Sequence, residues 1–144
     1  MGARRQGRIE TVKLLYQMDM GQRFDDLDWA ISNHFAHISK ETSAQVREFA
    51  EVHCRGIVAD KVKIDECIEK SSKNWRIARM SLVDRNVLRL AVHELMRPDG
   101  PPVDVVLDEA IEVGKTLGSS ESASFINGVM EGVRRSLSVN QKPS

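Results

Sequence analysis

The chain has 144 residues, 41% of them apolar and 29% charged, with 21 basic side chains balancing 21 acidic ones. That length supports one domain with a sizeable core and is short for two, and the composition is that of a soluble globular protein. No apolar run approaches the roughly 18 residues a membrane-spanning helix needs, and the basic start, MGARRQGRIE, lacks the apolar stretch of a secretory signal.

Cys54 and Cys67, with no CxxC, read as reduced thiols of a cytoplasmic protein. The zero net charge is unevenly spread. Arg4, Arg5, Arg8 and Lys13 face only Glu10 in the first thirteen positions, and Asp19, Asp25, Asp26 and Asp28 follow soon after. A basic arm on a neutral protein points to a local anionic partner, as opposed to general attraction for polyanions.

In chain order, Ile9, Val12, Leu15, Tyr16 and Met20 fit one helical face that Gly21 ends. Arginines at a helix N-terminus oppose the macrodipole, so residues 1–7 are expected to be a mobile arm that phosphates would order. A second helix runs from about Asp25 to Ile38, with Leu27, Ile31, Phe35 and Ile38 on one side. A third spans Ala44 to about Asp60 and a fourth Val62 to Ser71, with Trp75 capping this half of the chain.

The stretch Ser81–Arg97 organises the rest. Ser81 can act as an N-cap, Pro98 stops the helix, and Val83, Val87, Leu88, Leu90, Ala91 and Leu95 cover one broad arc. An arc that wide predicts a central helix with others packed around it. Asp84 and Glu94 sit in or beside the arc, and a buried carboxylate needs a partner, so each marks an ion pair or a polar contact. DGPP at 99–102 breaks the chain before a helix opened by Pro102, and a last helix starts near Ser119 or Ser120. The tail at 138–144 reads as frayed. With no alternating β-branched runs, the prediction is an all-α domain over 1–144 with six or seven helices.

No phosphate loop, dinucleotide fingerprint, nucleophile elbow or HExxH occurs, so nothing points to an enzyme or a cofactor. His53, Cys54 and Cys67, or His34 with His37, lack the closely spaced second pair of a metal site and read as helix packing. The arm carries more: arginine-rich segments bind RNA through phosphates and guanidinium stacking, although such a tail is also what a solvated terminus looks like. Tyr16, two turns after Arg8, could offer a stacking face or simply be core. Phe125 falls about 100° off the stripe of Ile126, Val129, Val133 and Leu137, which places it at a core rim or partly exposed beside Glu121. Gly128 and Gly132 read as a close helix approach.

Taken in order, ARRQGR…LLYQMD, W-x-x-x-R-M-S-L-V-D-R-N-V-L-R-L-A-V-H-E-L, P-V-D-V-V-L-D-E-A-I-E-V-G-K and S-x-x-S-x-x-F-I-N-G-V resemble the NusB family of bacterial antitermination factors from about residue 3 to 133. The resemblance implies two small helical bundles around a shared central helix. It also implies binding of boxA RNA together with NusE, a small-subunit ribosomal protein, in a complex with NusA, NusG and RNA polymerase that supports antitermination in ribosomal RNA operons. By position it assigns RNA contact to Arg4, Arg5, Arg8, Tyr16, Glu121, Ser124 and Phe125, and NusE contact to Asp84. Glu94 and Asn127 are expected to be structural, Glu94 by pairing with a buried donor. Gln6, Gly7 and Ser124 stand where the family often has more basic or small residues, so the arm is thinner in charge and reliance on NusE greater.

Two other readings stay beside this one. NusB-like domains also precede ribosomal RNA cytosine methyltransferases, a reading that requires a further domain. A helical module that binds NusE, or itself as a homodimer, without selective RNA binding is the third.

Overall fold

The computed structural model describes residues 2–73 and 75–141, with side chains through Leu137. Among them are seven α-helices and no strand: α1 (Ala3–Met20), α2 (Leu27–Asn33), α3 (Ala44–Ala59), α4 (Lys61–Ser71), α5 (Leu82–Met96), α6 (Val103–Leu117) and α7 (Ser122–Gln141). A π-helical turn, His34–Ile38, extends α2, and a 3-10 turn, Ile77–Arg79, precedes α5. Helices α1, α2 and α3 form one small bundle and α4, α6 and α7 another, and α5 packs against members of both.

The caps explain why α5 starts where it does. Ser81 Oγ accepts the Asp84 backbone N–H at 3.1 Å, so one of the helix's unpaired donors is satisfied. Every residue from Asn86 to Glu94 is buried, so the apolar arc is only part of what α5 hides. The polar side is inside as well, because it meets charges from two other elements, α1 and α4. Asp19, at the end of α1, accepts from Arg85 Nε and Nη2 at 2.6 Å each, from Asn86 Nδ2 at 2.9 Å and from Arg89 Nη1 at 2.9 Å. Arg89 Nε also donates to Asp65 of α4 at 2.8 Å. Burying charge is expensive unless it is paired and hydrogen-bonded, and this network does both.

Several boundaries and burial assignments differ from the sequence reading. Helix α1 begins at Ala3, so five of the arm's first seven residues belong to it. It is buried around most of its circumference by α3, α5 and α6, with Leu14 and Met18 inside and Met20, its last residue, exposed. Ile38 is 55% exposed because the π-turn rotates the chain off the face set by Ile31 and Phe35. Trp75 is 51% exposed instead of closing over a core. Gly128 meets open space, while a Cβ on Gly132 would run into the backbone carbonyl of Ser71, so only the second glycine serves the α4–α7 approach. Helix α7 runs to Gln141, and 142–144 lie outside the described residues.

Candidate nucleic-acid interface

The arm arginines sit on a helix, and that decides what each can reach. Arg4 is exposed. One position on, Arg5 forks onto Glu109 of α6, with Nε to Oε2 at 3.0 Å and Nη2 to Oε1 at 3.1 Å. Those hydrogen bonds hold the Glu109 carboxyl below its ordinary pKa and raise that of Arg5. Arg8, a turn further in, is buried and forks onto Glu94 of α5 at 2.9 and 2.8 Å. Glu94 is the buried carboxylate expected to need a donor, and Arg8 supplies it.

Gly7 has a packing role that its place in a thin basic arm does not suggest. A Cβ there would lie 2.6 Å from the Phe49 ring, so α3 can lay Phe49 against α1 only because position 7 has no side chain. The Arg8 guanidinium sits 5.6 Å from the centre of that ring. Next to Phe49, the His53 ring packs at 4.1 Å and meets His93 edge-on at 5.2 Å. Arg8, Phe49, His53 and Glu94 form the inner wall of an open cleft of about 320 Å³, whose rim carries Arg4 and, from the α5–α6 turn, Arg97, Asp99 and Gly100.

A second cleft, of about 540 Å³, lies at the start of α7. Phe125 is half-buried, and its ring meets that of Trp75 at 5.8 Å and 69°. The lining also includes Lys73, Arg135 and the acid Glu131, with Ser124 and Gly128 between them. Lys73 has a positive φ of 55°, which turns the chain sharply after α4. Glu121, in the turn just before α7, and Ser124, in its first turn, are both exposed. Trp75, Lys73 and Arg135 were not among the sequence-derived contacts, although a tryptophan a few residues before the R-M-S-L-V-D motif was a signal that could have drawn attention.

The expected contacts therefore do not converge on one spot. Arg4 and Arg8 share the first cleft, Ser124 and Phe125 the second, and Tyr16, half-buried on α1, lines neither. Asp84 lies about 15 Å along α5 from Glu94. It is half-buried, and its Oδ1 has no hydrogen-bond partner among the described residues.

No activated nucleophile stands out in this arrangement. Burial pushes the Cys54 and Cys67 thiols up, which keeps both protonated and unreactive at neutral pH. Burial, and after it the charges of His93, Arg97 and Arg8, holds His53 neutral, down to about 3. No helix among the described residues is long and apolar enough to cross a membrane.

Comparison with known proteins adds the lineage. The NusB family model matches residues 5–135. Transcription antitermination protein NusB of Anaeromyxobacter sp. (strain Fw109-5) is 43% identical over 134 residues, covering 93% of this chain and 91% of that protein. The solved structure of T. maritima NusB superposes with a TM-score of 0.79 at 33% identity, covering 92% of this chain and 90% of its own. A crystal structure of antitermination factors NusB and NusE in complex with dsRNA has a TM-score of 0.81 at 24% identity, covering 94% and 98%, a likeness in fold.

Proposed function

The chain belongs to the NusB family of transcription antitermination proteins, and from that premise we propose that it binds boxA-type RNA jointly with NusE. In this reading the complex joins NusA, NusG and RNA polymerase in the cytoplasm and supports antitermination in ribosomal RNA operons. The observation that carries RNA binding is the aromatic pair at the α7 cleft. Trp75 is half out of the protein, Phe125 stands against it, and Lys73 and Arg135 flank both. Flat faces beside cations suit unpaired bases, whose stacking on aromatic rings contributes about 1–3 kcal/mol per base.

Arg4, Arg5 and Tyr16 serve in the same reading as contacts along α1, and Glu121 and Ser124 as contacts at the start of α7. Arg8, inside the protein on Glu94, holds the arm in place more than it reaches RNA. Asp84, half-buried in the first turn of α5, is the NusE-facing acid in this reading. A second reading, a module that binds NusE or itself without selective RNA binding, draws on one fact: two of the three arm arginines are already engaged by internal carboxylates.

Fluorescence anisotropy of a short boxA RNA, with and without NusE and against a scrambled RNA, separates the two. The RNA-binding reading expects selective binding that NusE tightens and that Phe125→Ala weakens. Binding of NusE with no preference between the two RNAs would leave the second reading in its place.

A further inference from the structure

The second cleft contains a glycine that packing does not explain and an acid that binding to phosphates does not require. We infer that together they select one unpaired guanine: the base lies over the bare backbone at Gly128 against Trp75, and the Glu131 carboxylate accepts its two edge donors. This rests on the RNA-binding reading above and names the base that the cleft prefers.

The glycine sets the floor. Ser124, Gly128, Glu131 and Arg135 follow one another at i, i+4, i+7 and i+11, so they form one line along α7, and all four line the cleft. At Gly132 the helix touches the Ser71 carbonyl at the end of α4. Beyond Ser71 the chain bends at Lys73, and Trp75 meets Phe125. Gly128 lies between these two contacts and faces open space, with nothing within 4 Å of where a Cβ would stand. A glycine inside a helix is less stable than an alanine there, and what it offers in return is close approach of a ligand to the backbone. The wall beside it is aromatic. The Trp75 and Phe125 rings are inclined at 69°, so neither covers the other face to face, and Trp75 stays 51% exposed.

Glu131 makes the choice. It stands about 4.5 Å along the helix axis from Gly128. Its only ion pair among the described residues is with Arg134 at 3.5 Å, and that arginine also bonds Asp104. With 38% of its side chain exposed, the carboxylate can still accept hydrogen bonds from a ligand. Guanine offers two adjacent donors on its pairing edge, N1–H and the 2-amino group, which match the two carboxylate oxygens. Adenine, cytosine and uracil each place an acceptor beside their donor, and that acceptor would face a carboxylate oxygen with no proton between them. Lys73 and Arg135, both exposed, leave the cleft with a net positive charge, so the acid discriminates among bases without repelling the strand.

The test uses the full chain with NusE and a short boxA RNA, compared with copies in which each guanine in turn is replaced by inosine. Inosine keeps N1–H and lacks the 2-amino group. At one position the replacement should weaken wild-type binding about tenfold. Glu131→Gln should bring that ratio within about twofold. Because the ratio compares two RNAs on one protein, any general gain from removing a negative charge cancels. Gly128→Ala should bind boxA RNA about fivefold more weakly while melting at the same temperature or higher, a split that a purely structural glycine would not produce. Neither variant should change the affinity for NusE measured without RNA.

If the wild type binds RNA selectively but no inosine replacement weakens it, or Glu131→Gln keeps the full ratio, guanine selection is overturned and the function stands. Undiminished RNA binding by Gly128→Ala would likewise overturn the floor. Weaker NusE binding by both variants without RNA would assign the cleft to the protein partner and overturn the inference. If the wild type shows no selective RNA binding at all, the function falls and the inference with it.

Discussion

Arg8 and Glu94 meet through two parallel hydrogen bonds, 2.9 and 2.8 Å long, with both side chains almost wholly buried. The pair joins positions 86 residues apart and locks the first turns of α1 to the far end of the central helix. Removing one partner leaves the other charged and unsolvated. Arg8→Ala or Glu94→Ala should therefore cost about 3–5 kcal/mol in urea unfolding. The double change Arg8→Met with Glu94→Leu should recover much of that loss, because it strands no charge. Arg4→Ala, at an exposed site, should leave the unfolding midpoint where it is. An alanine scan of the arm that shows loss of RNA binding for Arg8 thus needs a stability measurement beside it.

The two glycines of α7 make opposite predictions although they lie four residues apart on one helix. Gly132→Ala pushes a methyl group into the Ser71 carbonyl, which belongs to a backbone that cannot swing away. It should lower stability by about 1–3 kcal/mol through overpacking between α4 and α7. Gly128→Ala meets nothing within 4 Å. It should be neutral or stabilise by up to about 1 kcal/mol, the difference in helix propensity between the two residues. Thermal melts of the two single variants, side by side, check both signs.

These cases show what could be read from the sequence. Ser81 and Pro98 bracket α5 because capping and helix termination are local chemistry, and the width of its apolar arc gave its central place. The need of Glu94 for a buried donor also followed from its position in that arc. Its partner did not, since Arg8 is far away in sequence and looked like part of a solvated arm. For the same reason the i, i+4 spacing of Arg89 and His93 along α5 does not disclose that the structure buries both against charges and rings from α1, α3 and α4. Ile38 was misplaced because a helical wheel assumes a constant turn and the chain enters a π-turn at His34. Trp75 could not be assigned to the α7 cleft before the bend at Lys73 and the position of Phe125 were known.

Arg89 offers a third test, because it bridges the two bundles through Asp19 of α1 and Asp65 of α4. Arg89→Ala leaves the Asp19 carboxylate to Arg85 and Asn86 and strips Asp65 of its buried donor. The loss should be about 3 kcal/mol or more in urea unfolding. Arg85→Ala should cost less, since Arg89 and Asn86 still satisfy Asp19 and the Arg85 side chain is partly exposed. If the two variants melted alike, the network would not be organised around Arg89.

The last prediction concerns pH. His53 sits inside the protein with a pKa of about 3 against an ordinary 6.5, so between those values the unfolded chain takes up a proton that the folded one refuses. The stability that neutral His53 contributes is complete above about pH 6.5 and is lost progressively as pH falls toward 3. By pH 5 its share of the loss is roughly 2 kcal/mol. His93 is shifted in the same direction, chiefly by burial, and adds to the loss. Glu10 acts lower on the scale. Burial works to raise its pKa, but hydrogen bonds from His34 and Ser39 and the charge of Lys13 outweigh it and hold it at about 2. Its contribution is present above about pH 4.5 and fades as pH drops toward 2. Urea midpoints measured from pH 7.5 to 4 should therefore begin to fall near pH 6.5, before any carboxylate titrates. His53→Gln cannot take up that proton, so its curve should be markedly flatter between pH 6.5 and 4.5, with only the His93 share remaining. Equal slopes for the two proteins in that window would mean that His53 is already protonated or solvated in the fold.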